Sequence, residues 1–172
     1  MPIIKPYKNI HPNIADDVFV AENAVIIGDV GIGPGSGVWY NTVIRGDVHY
    51  IRIGERTSIQ DGSILHVTGE KFPLNIGNDV VIGHGAIVHG CTIEDNAMIG
   101  IGACVLDGAK ISPYSIVAAG SVVREGLEVP PGVMLAGVPA KIKRPVTDEE
   151  REMIEVIAKK YVGYAAYYRT VM

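Results

Sequence analysis

Residues 93–124 read IEDNAMIGIGACVLDGAKISPYSIVAAGSVVR, and cutting the string every six residues puts it in order. Each piece then begins with an aliphatic side chain: Ile93, Ile99, Val105, Ile111, Val117 and Val123. Four residues behind most of these stands a small one: Ala97, Ala103, Ala109, Ser115 and Ser121. A period of six suits neither a helix, at about 3.6, nor an alternating strand, at about 2. It is the signature of a solenoid built from hexapeptide rungs.

The same beat runs upstream through Ile14, Val20, Ile26, Ile32, Val38 and Ile44, then Ile53, Ile59 and Leu65, then Ile76, Ile82 and Val88. Three hexads make one triangular coil, so aliphatic columns stack inside a prism, coil upon coil, about 4.8 Å apart. Each buried side chain contributes on the order of 2 kcal/mol. The beat slips at 46–52 and 66–75, where extra residues predict loops bulging from a corner, and between Val88 and Ile93, where one residue is missing.

Residues 1–12 read as a lead-in segment. Residues 125–146, EGLEVPPGVMLAGVPAKIKRPV, break the beat and read as an extended connector. Thr147 and Glu150 then form a capping box that opens a helix. Asp148 and Glu149 suit the positive end of its dipole. Ile154, Ile157, Tyr161, Tyr164 and Tyr168 recur on one apolar stripe, which predicts a helix lying against a prism face, its own or a neighbour's. The expected organisation is one domain: 1–146 as solenoid with connector, 147–172 as helix.

The 172 residues suffice for one buried core, and no apolar run reaches the length of a membrane span. The N-terminus has no signal-peptide pattern, so a cytoplasmic location is the default expectation. A net charge of −4 without a basic cluster argues against nucleic-acid binding. Cys91 and Cys104 do not make a disulfide framework and read as small buried hydrophobes.

The five histidines can be placed by counting. Arg45 follows Ile44, His66 follows Leu65 and His89 follows Val88, so the three share one slot in successive coils. His66 and His89 should stand one strand spacing apart, close enough to share zinc at about 2.0–2.1 Å from each imidazole. His84 belongs to the preceding hexad, one side of the triangle away. A neighbouring chain could deliver it, which predicts a closed threefold trimer with three interfacial metal sites. His11 and His49 fall outside this register, although His49, in the expected 46–52 loop, could overhang the site. Three histidines leave one tetrahedral position open, as in catalytic zinc. There the pKa of bound water falls from about 15.7 to about 7, roughly 12 kcal/mol of hydroxide stabilisation.

The rungs, Ile44-Arg45-Gly46-Asp47, Ser58-Ile59-Gln60-Asp61-Gly62, His66, and Gly83-His84-Gly85-Ala86-Ile87-Val88-His89-Gly90 together resemble the γ-class carbonic anhydrases over nearly the whole chain. Spacing does not set the hand of the coil; the resemblance implies an all-β, left-handed parallel β-helix with a C-terminal α-helix alongside. It implies a homotrimeric, cytoplasmic lyase whose metal-bound hydroxide converts carbon dioxide reversibly to bicarbonate at the trimer interface. His66, His84 and His89 match the metal ligands, with His84 reaching across from a neighbour. Zinc is the expected ion, with iron(II) or cobalt(II) compatible with the same imidazoles. Gln60 matches the group that hydrogen-bonds the reacting oxygen, Arg45 and Asp47 an interfacial ion pair, and Tyr161 or Tyr164 the site-lining tyrosine, with Asp61 supporting the Arg45–Asp47 network.

Two features depart from the founding pattern. Val48 stands where prototypes carry glutamate, and the loop Val67-Thr68-Gly69-Glu70 lacks the acidic insertion linked to proton shuttling, for which Glu70 and His49 are the available substitutes. The competing readings are a hexapeptide acyltransferase or acyl-CoA thioesterase, and a structural homologue with little anhydrase activity. The Ala136-Gly137-Val138-Pro139-Ala140-Lys141 connector does not separate them, because acyltransferases carry a similar stretch.

Overall fold

The computed structural model describes residues 1–171. Strands mostly two or three residues long wind into a three-faced parallel prism. One face is an eight-stranded sheet: seven parallel strands from Phe19–Val20 to Val133–Ala136, then Lys141–Pro145 running antiparallel as the eighth. The other two faces join as one twelve-stranded sheet, because Val25–Ile32 and Val43–Ile53 turn a corner without breaking. This is the expected fold class, a parallel β-helix of hexapeptide rungs with a C-terminal helix alongside.

The register follows the six-residue arithmetic. Ile32 pairs with Ile53 and Ile53 with Ile76; Val38 pairs with Ile59 and Ile59 with Ile82. Ile44, Leu65, Val88, Val105 and Val123 form a third column. All of these side chains are buried, as are the small residues at the corners between them. Several corner hydroxyls donate to a carbonyl one coil on: Ser36 Oγ to Gly54 at 2.9 Å, Thr57 Oγ1 to Gly77 at 2.8 Å, Ser63 Oγ to Gly83 at 3.1 Å. A buried hydroxyl without a partner would be costly, and small size alone does not satisfy it.

Three expectations need correction. Residues 46–52 are not a loop: Val43–Ile53 is one strand, with the extra residues absorbed as a bulge opposite Gly28 to Val30. A Cβ on Gly28 or Gly46 would strike the other coil's backbone, so glycine here allows close passage and does not mark a turn. The beat does not end at Val123. Val129 and Leu135 keep the spacing, are 2% and 0% exposed, and pair with Ile111 and Val117. The lead-in also joins the sheet, since Ile3–Lys5 pairs with Val25–Ile27. Residues 66–75 do contain a small loop, pinched by Thr68 and Phe72.

The helix runs Asp148–Val171, capped as expected: the Thr147 hydroxyl accepts from the Glu150 N–H at 3.2 Å and the Glu150 carboxylate from the Thr147 N–H at 3.0 Å. It packs on the eight-stranded face of its own chain. Ile154, Ala158 and Ala165 are its buried residues, so two alanines belong to the stripe, while Tyr164 is 44% exposed at its edge. Ala165 fits over Gly37, and Trp39 lies beneath the helix, 5.5 Å from the Tyr161 ring and 5.4 Å from the Tyr168 ring.

Candidate functional site

The column predicted by counting is present. His66 and His89 are register partners on adjacent parallel strands, Ile64–His66 and Ile87–His89. Their Nδ1 and Nε2 atoms face each other at 3.0 Å. The outer ring nitrogens both meet carboxylates: His66 Nε2 lies 3.1 Å from Asp47 Oδ1, and His89 Nδ1 lies 2.5 Å from Asp107 Oδ1. Arg45 completes the row by pairing with Asp47. Within the chain the carboxylate is mostly buried and the guanidinium about half exposed.

His84 is held elsewhere. It sits in the turn after Val81–Ile82, and its Nδ1 is 2.9 Å from Asp61 Oδ2 of the same chain. Gln60, buried one coil below, shares with His84 a cavity of about 470 Å³ that Tyr161 and Tyr164 close from the helix. These side chains fall in two separate groups on the chain. One holds His66, His89, Arg45 and Asp47; the other holds His84, Gln60 and the tyrosines. The side of the triangle between them is roughly 10–16 Å of extended chain. Among the described residues, no three metal-ligating side chains of one chain converge. His49 stays beside the first group: its Nδ1 accepts the Tyr50 N–H at 2.9 Å, and it lines a cavity of about 210 Å³ with Asp47 and Val48.

Electrostatics distinguish the groups. Burial pushes the His66 imidazole below its ordinary value, which keeps the ring neutral. Burial would raise the Asp47 carboxyl, but hydrogen bonds from Arg45 and His66 outweigh it and hold the group below the usual range. Asp107 is lowered in the same way: burial acts upward and is outweighed by hydrogen bonds from Thr68 and His89 and by the charge of Lys71. The Cys91 thiol is pushed far upward by burial, so no thiolate competes for a metal here.

A proton count tests whether a metal fits. The row Asp47, His66, His89, Asp107 has three contacts, and imidazoles in the neutral form that a metal binds bring only two N–H groups between them. A divalent cation in the middle contact resolves the shortfall, since each ring then directs its N–H outward to a carboxylate. Zinc with tetrahedral angles sets its ligand nitrogens about 3.4 Å apart; the observed 3.0 Å is within a few tenths. Carboxylates behind ligating histidines are the usual supporting arrangement.

Asp107 went unnoticed in the sequence. The signal was there: it lies 18 residues after His89, one regular coil onward, beside the column position held by Leu106.

A family profile described as bacterial transferase hexapeptide (six repeats) matches residues 90–125. The chain is 46% identical to gamma carbonic anhydrase 2, mitochondrial, of Arabidopsis thaliana, over 90% of its own length and 57% of that protein's. It thus spans little more than half of the plant relatives it matches. A carbonic anhydrase of Geobacillus kaustophilus is 41% identical over 97% of this chain and 91% of that one. A Bacillus cereus crystal structure, described as a candidate acetyltransferase, superposes with a TM-score of 0.97 at 42% identity, covering 99% of both chains.

Proposed function

We propose, from the premise that this chain belongs to the γ-class carbonic anhydrase family, that three copies close around a threefold axis to make three metal sites for reversible carbon dioxide hydration. In each site His66 and His89 of one copy meet His84 of the next. The carrying observation is the division of the site: a facing imidazole pair on one part of the chain, and His84 with Gln60 on another that the same pair cannot reach. A heterologous threefold interface brings unlike halves together in every copy.

Zinc, or another divalent ion that imidazole accepts, supplies Lewis acidity that makes a bound water nucleophilic near neutral pH. The protein supplies the rest. Asp47 and Asp107 hold the outer nitrogens of His66 and His89, and Asp61 does so for His84. Arg45 keeps Asp47 charged and in place. The Gln60 amide, which can donate and accept, orients the substrate oxygens, and Tyr161 and Tyr164 wall the cavity on the helix side. Val48 is 47% exposed where prototypes place an acid, so proton export depends on buffer and runs about 10²–10⁴ slower than with a tuned group. The cytoplasm stays the proposed compartment, whereas the plant relatives are named as mitochondrial.

The test is elemental analysis of protein purified without air, followed by stopped-flow hydration on the same sample. About one metal per chain is expected, with a rate that rises with buffer concentration and His89→Ala losing both metal and rate. Fully metallated protein with no rate above buffer refutes the catalytic reading. The Bacillus cereus likeness and the cavity beside His84 favour a second reading, acyl transfer from coenzyme A; metal-free protein that binds coenzyme A would select it.

A further inference from the structure

Asp107 is anchored beside the histidine row through both carboxylate oxygens, and it lies outside the ligand set. Its Oδ1 receives the His89 Nδ1–H at 2.5 Å, and its Oδ2 receives the Thr68 hydroxyl at 2.5 Å. Thr68 opens the small loop that Phe72 closes, and Lys71 of that loop lends positive charge. The backbone makes room for the contact. Gly90 has φ +49°, and a Cβ there would run into the Asp107 carboxylate and the Phe72 side chain. The Gly90 N–H donates to His66 O at 3.0 Å and the Gly108 N–H to Gly90 O at 2.7 Å, so His66, Gly90 and Gly108 form a short ladder beneath the carboxylate.

We propose that Asp107 is a positioning residue: it fixes His89 as the Nδ1–H tautomer and aims the bare Nε2 at the position shared with His66. Among the described residues Asp107 is the hydrogen-bond partner of His89 Nδ1; without it the neutral ring can carry its one proton on Nε2 instead, which blocks the ligand nitrogen. The Thr68 hydroxyl acts one step further back by fixing the carboxylate plane. The inference rests on the metal reading above but concerns a residue outside the three ligands.

The experiment uses the full-length protein with 15N-labelled histidine. In metal-free wild type, the His89 imidazole shifts should report Nδ1–H; in Asp107→Ala they should move toward Nε2–H. Zinc titration against a chromophoric chelator should show about 10–100-fold weaker binding in Asp107→Ala at unchanged stoichiometry. Asp107→Asn, which keeps the shape and can still accept from Nδ1–H, should fall between and serves if the alanine variant does not fold. Thr68→Val separates loop anchoring from ring positioning: it should lower thermal stability while leaving the His89 tautomer in place. Wild type that binds zinc, with Asp107→Ala binding equally tightly or keeping the same His89 tautomer, overturns this inference alone. Wild type that binds no zinc overturns the metal reading and with it this role.

Discussion

Two variants that are each inactive should complement one another. His84→Ala and His89→Ala both leave every proposed site one imidazole short, so neither homotrimer has a complete set. The structure says what happens on mixing. His89 ends the strand Ile87–His89 and faces His66, whereas His84 lies in the turn before that strand and faces Asp61. A complete site needs a His84→Ala copy supplying His66 and His89 and a His89→Ala copy supplying His84. Around a threefold ring, one-to-two or two-to-one, that junction occurs once, so a mixed trimer regains about one site of its three. Coexpression under two affinity tags and sequential purification isolates mixed trimers. Their zinc content and their hydration rate per trimer should be about one third of wild type. Mixed trimers as zinc-free as their parents, or a parent that keeps full zinc, would refute the shared site. Failure of the two tags to copurify would refute the trimer.

Other consequences can be checked singly. Leu65→Ala opens a cavity in the column between Ile44 and Val88, and should cost about 2–5 kcal/mol in denaturant unfolding; at the residue before His66 it should also weaken zinc binding. Gly90→Ala forces a side chain into a left-handed backbone, about 1–2 kcal/mol, and displaces Asp107, so both melting temperature and zinc affinity should fall. Glu150 is lowered to about 2, first by the Arg144 guanidinium and then by the Thr147 N–H. A depressed carboxyl stabilises the fold above its unfolded pKa, and that contribution is lost as pH falls through the folded value. Helical circular dichroism should therefore decline between about pH 4.5 and 2, and Glu150→Gln should flatten that part of the profile. A wild-type curve indifferent to this range would contradict the cap.

What could be read from the string was whatever repeats. Counting hexads across the slips puts Ile44, Leu65 and Val88 in one column, and that places His66 over His89. Non-repeating chemistry hid the rest. Pro130 and Pro131 disguised Val129 and Leu135, although proline only removes a donor and leaves the neighbouring inward position usable. Residues 46–52 read as a loop because the beat slips there, and spacing alone does not say whether extra residues leave the sheet or bulge within a strand. Ala158 and Ala165 do not stand out in a stripe defined by large apolar side chains, yet a helix lies close to a sheet through its small ones. Asp107 and Asp61 required following a histidine's second nitrogen outward, and counting histidines alone stops at the first.

The chain has a single tryptophan, Trp39, and the fold wedges it between the prism and the helix that lies over it. Its indole N–H donates to the Ser58 hydroxyl at 3.1 Å, so the ring is pinned to the prism side. Intrinsic emission from this one fluorophore therefore watches a single seam. Lifting the helix alone would shift the spectrum to the red while β-sheet absorption stays put, and the two halves of the molecule can be melted under separate observation.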